Sequence, residues 1–249
     1  SRLARLASPT IRWMLGRLLS APRCRVIVQN PDDDNLLRQA GVPQSRLRMV
    51  RGSGVDTSVF SPGPKSPEPI CVVMATRILW DKGVGEFVEA ARSLKLAVPE
   101  VRFILVGEPD LDNPASVPKT TLKAWQEDNV VEWWGHSDAM AKIFQMAHVV
   151  CLPSYREGLP KVLIEAAACG KPIVTTDVPG CREVVRDGDN GLLVPVRDSK
   201  ALASALLRLI ENSELRTEMG KRSREIALAE FSSEHIIAQT LDIYKELVE

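Results

Sequence analysis

The amino-acid sequence predicts an α/β protein built on a doubly wound parallel sheet, on three observations. From residue 69 onward, apolar runs typical of strands alternate with helical patterns. These apolar runs are nearly continuous, as is usual for strands that are covered on both faces. With 45% hydrophobic and 26% charged residues, the composition is ordinary for a soluble globular protein. Strands separated by helices in this way form a parallel sheet.

The predicted elements follow one another in a regular order. Six strands are expected at residues 70–75, 101–107, 130–135, 149–153, 172–176 and 191–194. Five helices are expected between them, at residues 83–96, 116–128, 138–147, 160–169 and 181–186. After Pro195 the strands stop, and a 3.6-residue periodicity predicts three helices at residues 199–210, 214–229 and 233–247.

The first 69 residues have a different pattern. They predict a basic amphipathic helix at residues 1–20, strands at 25–29 and 47–50, and a helix at 32–40. Four prolines in residues 61–69 are typical of a linker. One long helix, one short helix and two strands are few for an independent core. Residues 1–60 are therefore expected to be the closing part of a larger, truncated domain.

The charge pattern concerns possible partners. The net charge is zero, which gives no support for nucleic acid as a partner. Residues 1–50 nevertheless contain nine arginines and three aspartates, which fits either an anionic surface as partner or a solvated face. Residues 11–25 could lie at an anionic membrane surface, or pack inside the larger domain. The side chains concerned are Ile11, Arg12, Trp13, Met14, Leu15, Arg17, Leu18, Leu19, Arg23 and Arg25.

The cysteines, the histidines and the apolar segments indicate the cellular compartment, the absence of a metal site and the absence of a membrane span, in that order. The five cysteines show no short pair spacing, and Cys71, Cys151 and Cys169 lie in apolar runs, so reduced thiols and a cytoplasmic location are expected. The three histidines do not pair with a cysteine or carboxylate at metal-ligand spacing, so no metal site is expected. The apolar segment at residues 11–19 is shorter than the roughly 20 residues that span a bilayer.

Two loops carry the strongest candidates for a binding site. At the end of the first strand of the sheet, Arg77 and Lys82 flank the start of a helix and suit an anion such as a diphosphate, although a surface salt bridge would explain them too. After the fourth strand, Glu157 precedes a helix that Pro160 opens. Glu165 lies inside this helix among apolar residues, where ligand hydroxyls could donate to it. The alternative for Glu165 is an exposed position.

Two further loops give weaker signals. Residues 51–56 contain Gly52 and Gly54, which allow a sharp turn or a close approach to a ligand. Residues 133–137 contain two tryptophans that fit either a nucleotide base or core packing. In an open parallel sheet, ligands bind beyond the carboxyl ends of the strands, where such loops lie.

Taken together, these residues resemble the retaining glycosyltransferases of the GT-B type, which have two Rossmann-like domains, and within them family 4 (glycosyl transferases group 1). The specific mark is Glu157, seven residues and Glu165. The segments at residues 52–56, 77–83, 165–172 and 187–195 agree with it in order. Residues 78–83 and 132–136 look most like capsule, O-antigen and exopolysaccharide enzymes.

The resemblance implies roles for individual residues. Arg77 and Lys82 would neutralise the diphosphate, whose leaving oxygen gains charge in the transition state. Glu165 would hold the ribose hydroxyls, and Glu157 would contact the sugar or its phosphate. Glu157, Arg77 and Lys82 are the expected catalytic group, without a metal or cofactor. The expected donor-binding residues are Gly54, Arg77, Lys82, Glu157, Gly158, Leu159 and Glu165, with Gly54 passing close to the phosphates.

The resemblance also implies an activity and a division of the chain. The expected reaction transfers a hexose, with retention, from a nucleoside diphosphate sugar (a UDP-sugar by preference) to a lipid-linked or saccharide acceptor in surface polysaccharide synthesis. The alternative is a non-catalytic nucleotide-sugar-binding module that works with a partner chain. Residues 1–60 would close an acceptor domain, 61–69 would link it, 70–232 would bind the donor, and 233–249 would cross back. With its acceptor domain incomplete, this chain alone is expected to be inactive.

Overall fold

A six-stranded parallel sheet forms the centre of the molecule. The computed structural model describes residues 11, 13–64, 68–110 and 112–248. The strands are β3 (Cys71–Ala75), β4 (Arg102–Val106), β5 (Glu132–Trp133), β6 (Val149–Leu152), β7 (Ile173–Thr176) and β8 (Gly191–Val194). They lie in the order β5-β4-β3-β6-β7-β8, and every pair is parallel. The six predicted strands and the parallel sheet are confirmed.

Helices cover both faces of this sheet. They are α3 (Val84–Ala97), α4 (Lys119–Glu127), α5 (Met140–Met146), α6 (Lys161–Ala168), α7 (Pro179–Val184), α8 (Ser199–Glu211) and α9 (Ser213–Glu230). The chain moves in opposite directions across the sheet after β3 and after β6, so right-handed crossovers place α3 and α6 on opposite faces. Helix α3 packs against α8, and α6 packs against α5 and α9. This is the predicted doubly wound arrangement.

The central strands explain the apolar runs of the sequence. All residues of β3, β6 and β7 are buried, because helices lie above and below them. The helix predicted at 116–128 begins at Lys119, because Pro118 has an extended backbone. The helix predicted at 181–186 is shifted to Pro179–Val184, with the proline in its first position. The predicted elements are thus confirmed, with boundaries that differ by a few residues.

A smaller unit precedes this sheet. Strands β1 (Val26–Val28) and β2 (Leu47–Met49) pair in parallel, and α2 (Pro31–Gln39) connects them. Residues 13–19 form helix α1, while most of the helix predicted at 1–20 lies outside the described residues. The same holds for residues 65–67 of the predicted linker. Three buried side chains, Val28, Val42 and Leu47, give this unit a small core of its own.

The last helix joins the two units. Helix α10 (Ser233–Val248) buries Ile236 and Ile243 against Val50. Near its end, Glu246 accepts hydrogen bonds from Arg25 at 2.9 Å and from Arg48 at 2.5 Å. These contacts lay α10 along the β1–β2 unit. Among the described residues, no helix is both long enough and apolar enough to cross a bilayer.

Candidate functional site

The candidate site lies where the strand order reverses, between β3 and β6. Strands β3 and β6 are neighbours, but the chain leaves them toward opposite edges of the sheet. In open α/β sheets, such a reversal of strand order leaves a crevice outside the carboxyl ends of the strands, where ligands usually bind. The loops at these ends are residues 76–83, after β3, and residues 153–160, after β6. Both were predicted to carry the site.

The two loops are packed tightly against each other. Gly83 has φ +77°, and a Cβ at this position would lie 2.0 Å from the carbonyl oxygen of Pro153. Only glycine permits this approach. The amide of Tyr155 donates to the carbonyl of Asp81 at 2.9 Å, and the buried hydroxyl of Ser154 donates to the same carbonyl at 3.4 Å. The loops therefore hold their side chains as one unit.

An ion pair lies across this contact. Lys82 Nζ is 2.7 Å from Glu157 Oε1, and the two side chains are only 17% and 13% exposed. The structure thus brings together two of the three predicted catalytic residues. A charge in such a position requires a partner, and in this structure each of the two groups is the partner of the other.

Backbone amides adjoin the ion pair at the start of α6. Within the described part of the chain, the amides of Gly158 and Leu159 have no hydrogen-bond acceptor. Free amides at a helix start attract anions. Pro160, which was expected to be the first helical residue, is the N-cap, and Lys161 begins the helix. The two loops together therefore offer one cation, Lys82, and two neutral backbone donors.

Glu165 lies in the middle of α6 and is partly buried. Its side chain is 14% exposed, so the alternative of an exposed glutamate is wrong. Burial raises the pKa of Glu165, and the nearby cation Lys161, with its Nζ 3.8 Å away, lowers it only in part. A buried carboxylate with so weak a partner retains capacity for hydrogen-bond donors. Hydroxyl groups of a ligand would supply them.

Arg77 does not join the ion pair in this structure. Its guanidinium lies 3.3 Å from Asp110, in the loop after β4, and its side chain is 64% exposed. The surface salt bridge weighed as an alternative is therefore what Arg77 forms here. An exposed pair of this kind is weak and easily broken. Contact between Arg77 and a diphosphate stays a prediction.

The two glycines of the 51–56 loop occupy different places. A Cβ on Gly52 would lie 2.5 Å from Leu159 Cδ2, so Gly52 borders the loop at residues 153–160. Gly54 has φ +76° and packs against the start of α10, where a Cβ would lie 2.8 Å from the Cα of Ser233. The structure gives Gly54 this packing role, and its approach to phosphates stays a prediction. Gly52 was not singled out as a site residue.

The loop after β5 divides the roles of its tryptophans. Trp133 packs against the core, and its ring nitrogen donates to the carbonyl of Gly107 at 2.9 Å. Trp134 is 39% exposed. Core packing thus explains Trp133, and Trp134 is the ring available at the surface. Among the described residues, no group of three or more His, Cys, Asp or Glu is arranged to hold a metal ion.

Comparison with known families decides what kind of protein has this site. A family model described as "Glycosyl transferases group 1" matches residues 56–226. The chain belongs to this family. The matched range includes Arg77, Lys82, Glu157 and Glu165.

Individual relatives of this chain agree with the family. N,N'-diacetylbacillosaminyl-diphospho-undecaprenol alpha-1,3-N-acetylgalactosaminyltransferase of Campylobacter jejuni is 30% identical over 237 residues, 89% of this chain and 60% of its own length. A capsular polysaccharide biosynthesis glycosyltransferase of Staphylococcus aureus, CapM, is 30% identical over 169 residues, 68% of this chain and 44% of its own length. The chain thus spans about half of the length of these relatives.

A solved structure shows the same fold. Anabaena HepE in complex with UDP aligns with a TM-score of 0.78 at 23% identity, over 88% of this chain and 63% of its own. At this identity the likeness concerns the fold alone. The parallel six-stranded sheet with helices on both faces is therefore that of the GT-B glycosyltransferases.

The raised pKa of Glu165 gives a prediction for stability. The folded protein binds the Glu165 proton more tightly than the unfolded chain does, so stability declines as the pH rises through this pKa. The Glu165→Gln variant lacks this decline. We expect it to melt at a higher temperature than the wild type at about pH 8, with the difference shrinking toward about pH 4. Melting temperatures measured across this pH range test the expectation.

The matched control is Glu89→Gln on α3, whose carboxylate is 63% exposed. This control should show no gain that depends on pH. An equal difference between wild type and Glu165→Gln at every pH would contradict the assignment of a desolvated carboxylate at this position.

Proposed function

We propose that this chain binds the donor in a retaining hexosyltransferase. The enzyme would transfer a hexose from a nucleoside diphosphate sugar, a UDP-sugar by preference, to a lipid-linked or saccharide acceptor in surface polysaccharide synthesis. The observation that carries the proposal is the Lys82–Glu157 pair beside the free amides of Gly158 and Leu159. The relative that acts on a diphospho-undecaprenol substrate supports the acceptor class.

The diphosphate would bind by exchange of ion pairs. Lys82 gives up Glu157 for a phosphate oxygen, and the amides of Gly158 and Leu159 donate to the same anion. Arg77 turns from Asp110 toward the crevice, which its 64% exposure permits. As the glycosidic bond breaks, negative charge grows on the leaving phosphate oxygen, and these fixed donors stabilise it.

The two carboxylates would then bind the neutral ends of the donor. Glu157, released by Lys82, accepts hydrogen bonds from the transferred sugar. Glu165 accepts from the two ribose hydroxyls, since a carboxylate has oxygen atoms for both. Those donors would relieve the desolvation that raises the pKa of Glu165. Lys82, Glu157 and Glu165 would each thus find a partner on one ligand.

We also propose a division of the chain. Residues 1–60 would close an acceptor-binding domain, residues 61–69 would link it to the donor-binding domain at 70–232, and residues 233–249 would cross back. The β1–β2 unit supports this, because a parallel pair of strands is normally part of a larger sheet covered on both faces. The path of α10 along that unit supports the crossing.

Binding of nucleotides tests the donor site directly. We expect calorimetric titration to show saturable binding of UDP, in preference to GDP and ADP. Lys82→Ala should weaken UDP binding roughly 10- to 100-fold, because it removes a charge-assisted hydrogen bond to phosphate. The loss for UMP should be smaller, since UMP lacks the second phosphate.

Two control variants sharpen this test. Arg92→Ala removes an exposed cation on α3 and should leave the UDP affinity unchanged. The double variant Lys82→Ala, Glu157→Gln removes the carboxylate that the single variant leaves unpaired, and it should bind UDP as weakly as the single variant. A UDP affinity unaffected by Lys82→Ala, or no nucleotide binding at all, would contradict the proposed function.

Helix α1 supports a proposed contact with the inner face of the cytoplasmic membrane. Its apolar side chains are unusually accessible: Trp13 is 64% exposed and Leu18 is 71% exposed. The guanidinium of Arg17 lies over the Trp13 ring, 5.8 Å from its centroid. Apolar residues beside arginine favour the surface of a membrane with anionic lipids. We propose that residues 11–25 make this peripheral contact.

Sedimentation with lipid vesicles tests this contact. The chain should sediment with phosphatidylglycerol vesicles at low salt and not with phosphatidylcholine vesicles. The double variant Trp13→Ser, Leu18→Ser should reduce binding by at least about tenfold, because it removes two apolar side chains from the interface. Leu96→Ser, at an 89% exposed position on α3, is the control and should bind like the wild type. No binding by the wild type would contradict the contact.

A further inference from the structure

Asn30 is a buried polar residue between β1 and α2. It is 1% exposed, and a buried carboxamide requires hydrogen-bond partners. Its Oδ1 accepts from the amide of Asp33 at 2.8 Å, which caps α2. Its Nδ2 donates to Asp33 Oδ2 at 2.9 Å and to the carbonyl of Gly158 at 3.0 Å. The last bond reaches across 128 residues to the loop at residues 153–160, which we call the donor loop.

The neighbouring carbonyl of the donor loop is held as well. The amide of Gly180, in the first turn of α7, donates to the carbonyl of Glu157 at 3.3 Å. A Cβ on Gly180 would lie 2.4 Å from the carbonyl oxygen of Gly158 and 2.6 Å from that of Glu157. Two successive carbonyls are thus fixed by contacts with Asn30 and Gly180.

These two bonds set the direction of the amides that follow. In a trans peptide, the carbonyl and the next N–H point in nearly opposite directions. Fixing the carbonyl of Glu157 therefore orients the N–H of Gly158, and fixing the carbonyl of Gly158 orients the N–H of Leu159. Neither of these two amides has an acceptor among the described residues.

We propose that Asn30 is a positioning residue for the donor: it acts through the Gly158 carbonyl to aim the Leu159 amide at the diphosphate end of the ligand, beside the Gly158 amide that Gly180 orients through the Glu157 carbonyl. The inference rests on the proposed donor binding. Asn30 itself touches no ligand. The Asn30–Gly158 bond makes the β1–β2 unit a structural part of the donor site, because the amide geometry depends on a residue outside the six-stranded sheet.

The chemistry of the position favours asparagine. Aspartate could cap α2 but would have no N–H for the Gly158 carbonyl, and it would bring a second carboxylate to Asp33. Serine caps helices as well as asparagine does, but it is too short to reach across to Gly158. Asn30→Ser therefore removes the contact with the donor loop and keeps the helix cap.

Titration of the full chain with UDP and with UMP tests the role of Asn30. We expect Asn30→Ser to weaken UDP binding about three- to tenfold, the effect of one hydrogen bond, and to weaken UMP binding less. A merely structural role would weaken both nucleotides alike. Asp32→Asn is the matched control: it breaks the exposed Arg182–Asp32 contact at 3.4 Å between α2 and α7 without touching Gly158, and should bind UDP normally.

A second measurement keeps the test valid if Asn30→Ser fails to fold. In the wild type, UDP should shift the amide NMR resonances of Gly158 and Leu159 strongly and that of Gly188, in a distant turn, hardly at all. Equal losses for UDP and UMP, an unchanged UDP affinity, or unshifted Gly158 and Leu159 resonances would overturn the positioning role while UDP binding itself persists. Absence of UDP binding in the wild type would overturn the proposed function, and this role with it.

Discussion

Where the strand order reverses between β3 and β6, Gly83 lies against the carbonyl of Pro153, closer than any side chain would allow. This contact sets the distance between the loops after β3 and β6. Because the loops are that close, Lys82 and Glu157 meet at 2.7 Å although 75 residues separate them. The buried strands β3 and β6 pair in parallel, so their loops begin side by side at the same edge of the sheet. The arrangement of charges in the crevice therefore depends on one backbone approach.

Two carboxylates, Glu157 in the loop before α6 and Glu165 within α6, are in unlike states. Glu157 has a cation in direct contact, whereas Glu165 is partly buried with its nearest cation, Lys161, at 3.8 Å. An isolated protein gains nothing from the second arrangement, since the burial of a charge opposes folding. A ligand with both an anionic group and hydroxyl groups would satisfy the two states together. The proposed donor, a nucleoside diphosphate sugar, has this combination.

Much of this architecture could be predicted from the sequence, because its signals are local. Continuous apolar runs predicted β3, β6 and β7 correctly, and the Glu157–Glu165 spacing predicted the loop and helix of the proposed site. The pairing of Arg77 with Asp110 could not be predicted, because it depends on how two loops approach after folding. For the same reason, no sequence signal distinguished Gly52, beside Leu159, from Gly54, beside Ser233.

Asn30 shows the limit most clearly. In the sequence it is an ordinary helix cap before a proline and three aspartates, and that local role is correct. Its second bond, to Gly158, exists only because the β1–β2 unit lies against the donor loop. A cap signature predicts where a helix begins, and it contains no information about which distant carbonyl the spare N–H will find.

A crystal structure of the chain with UDP would test the proposed exchange of ion pairs at Lys82. We expect Lys82 Nζ to leave Glu157 for a phosphate oxygen and the ribose hydroxyls to lie against Glu165. A complex in which UDP binds elsewhere, with the 2.7 Å contact between Lys82 and Glu157 intact, would contradict it.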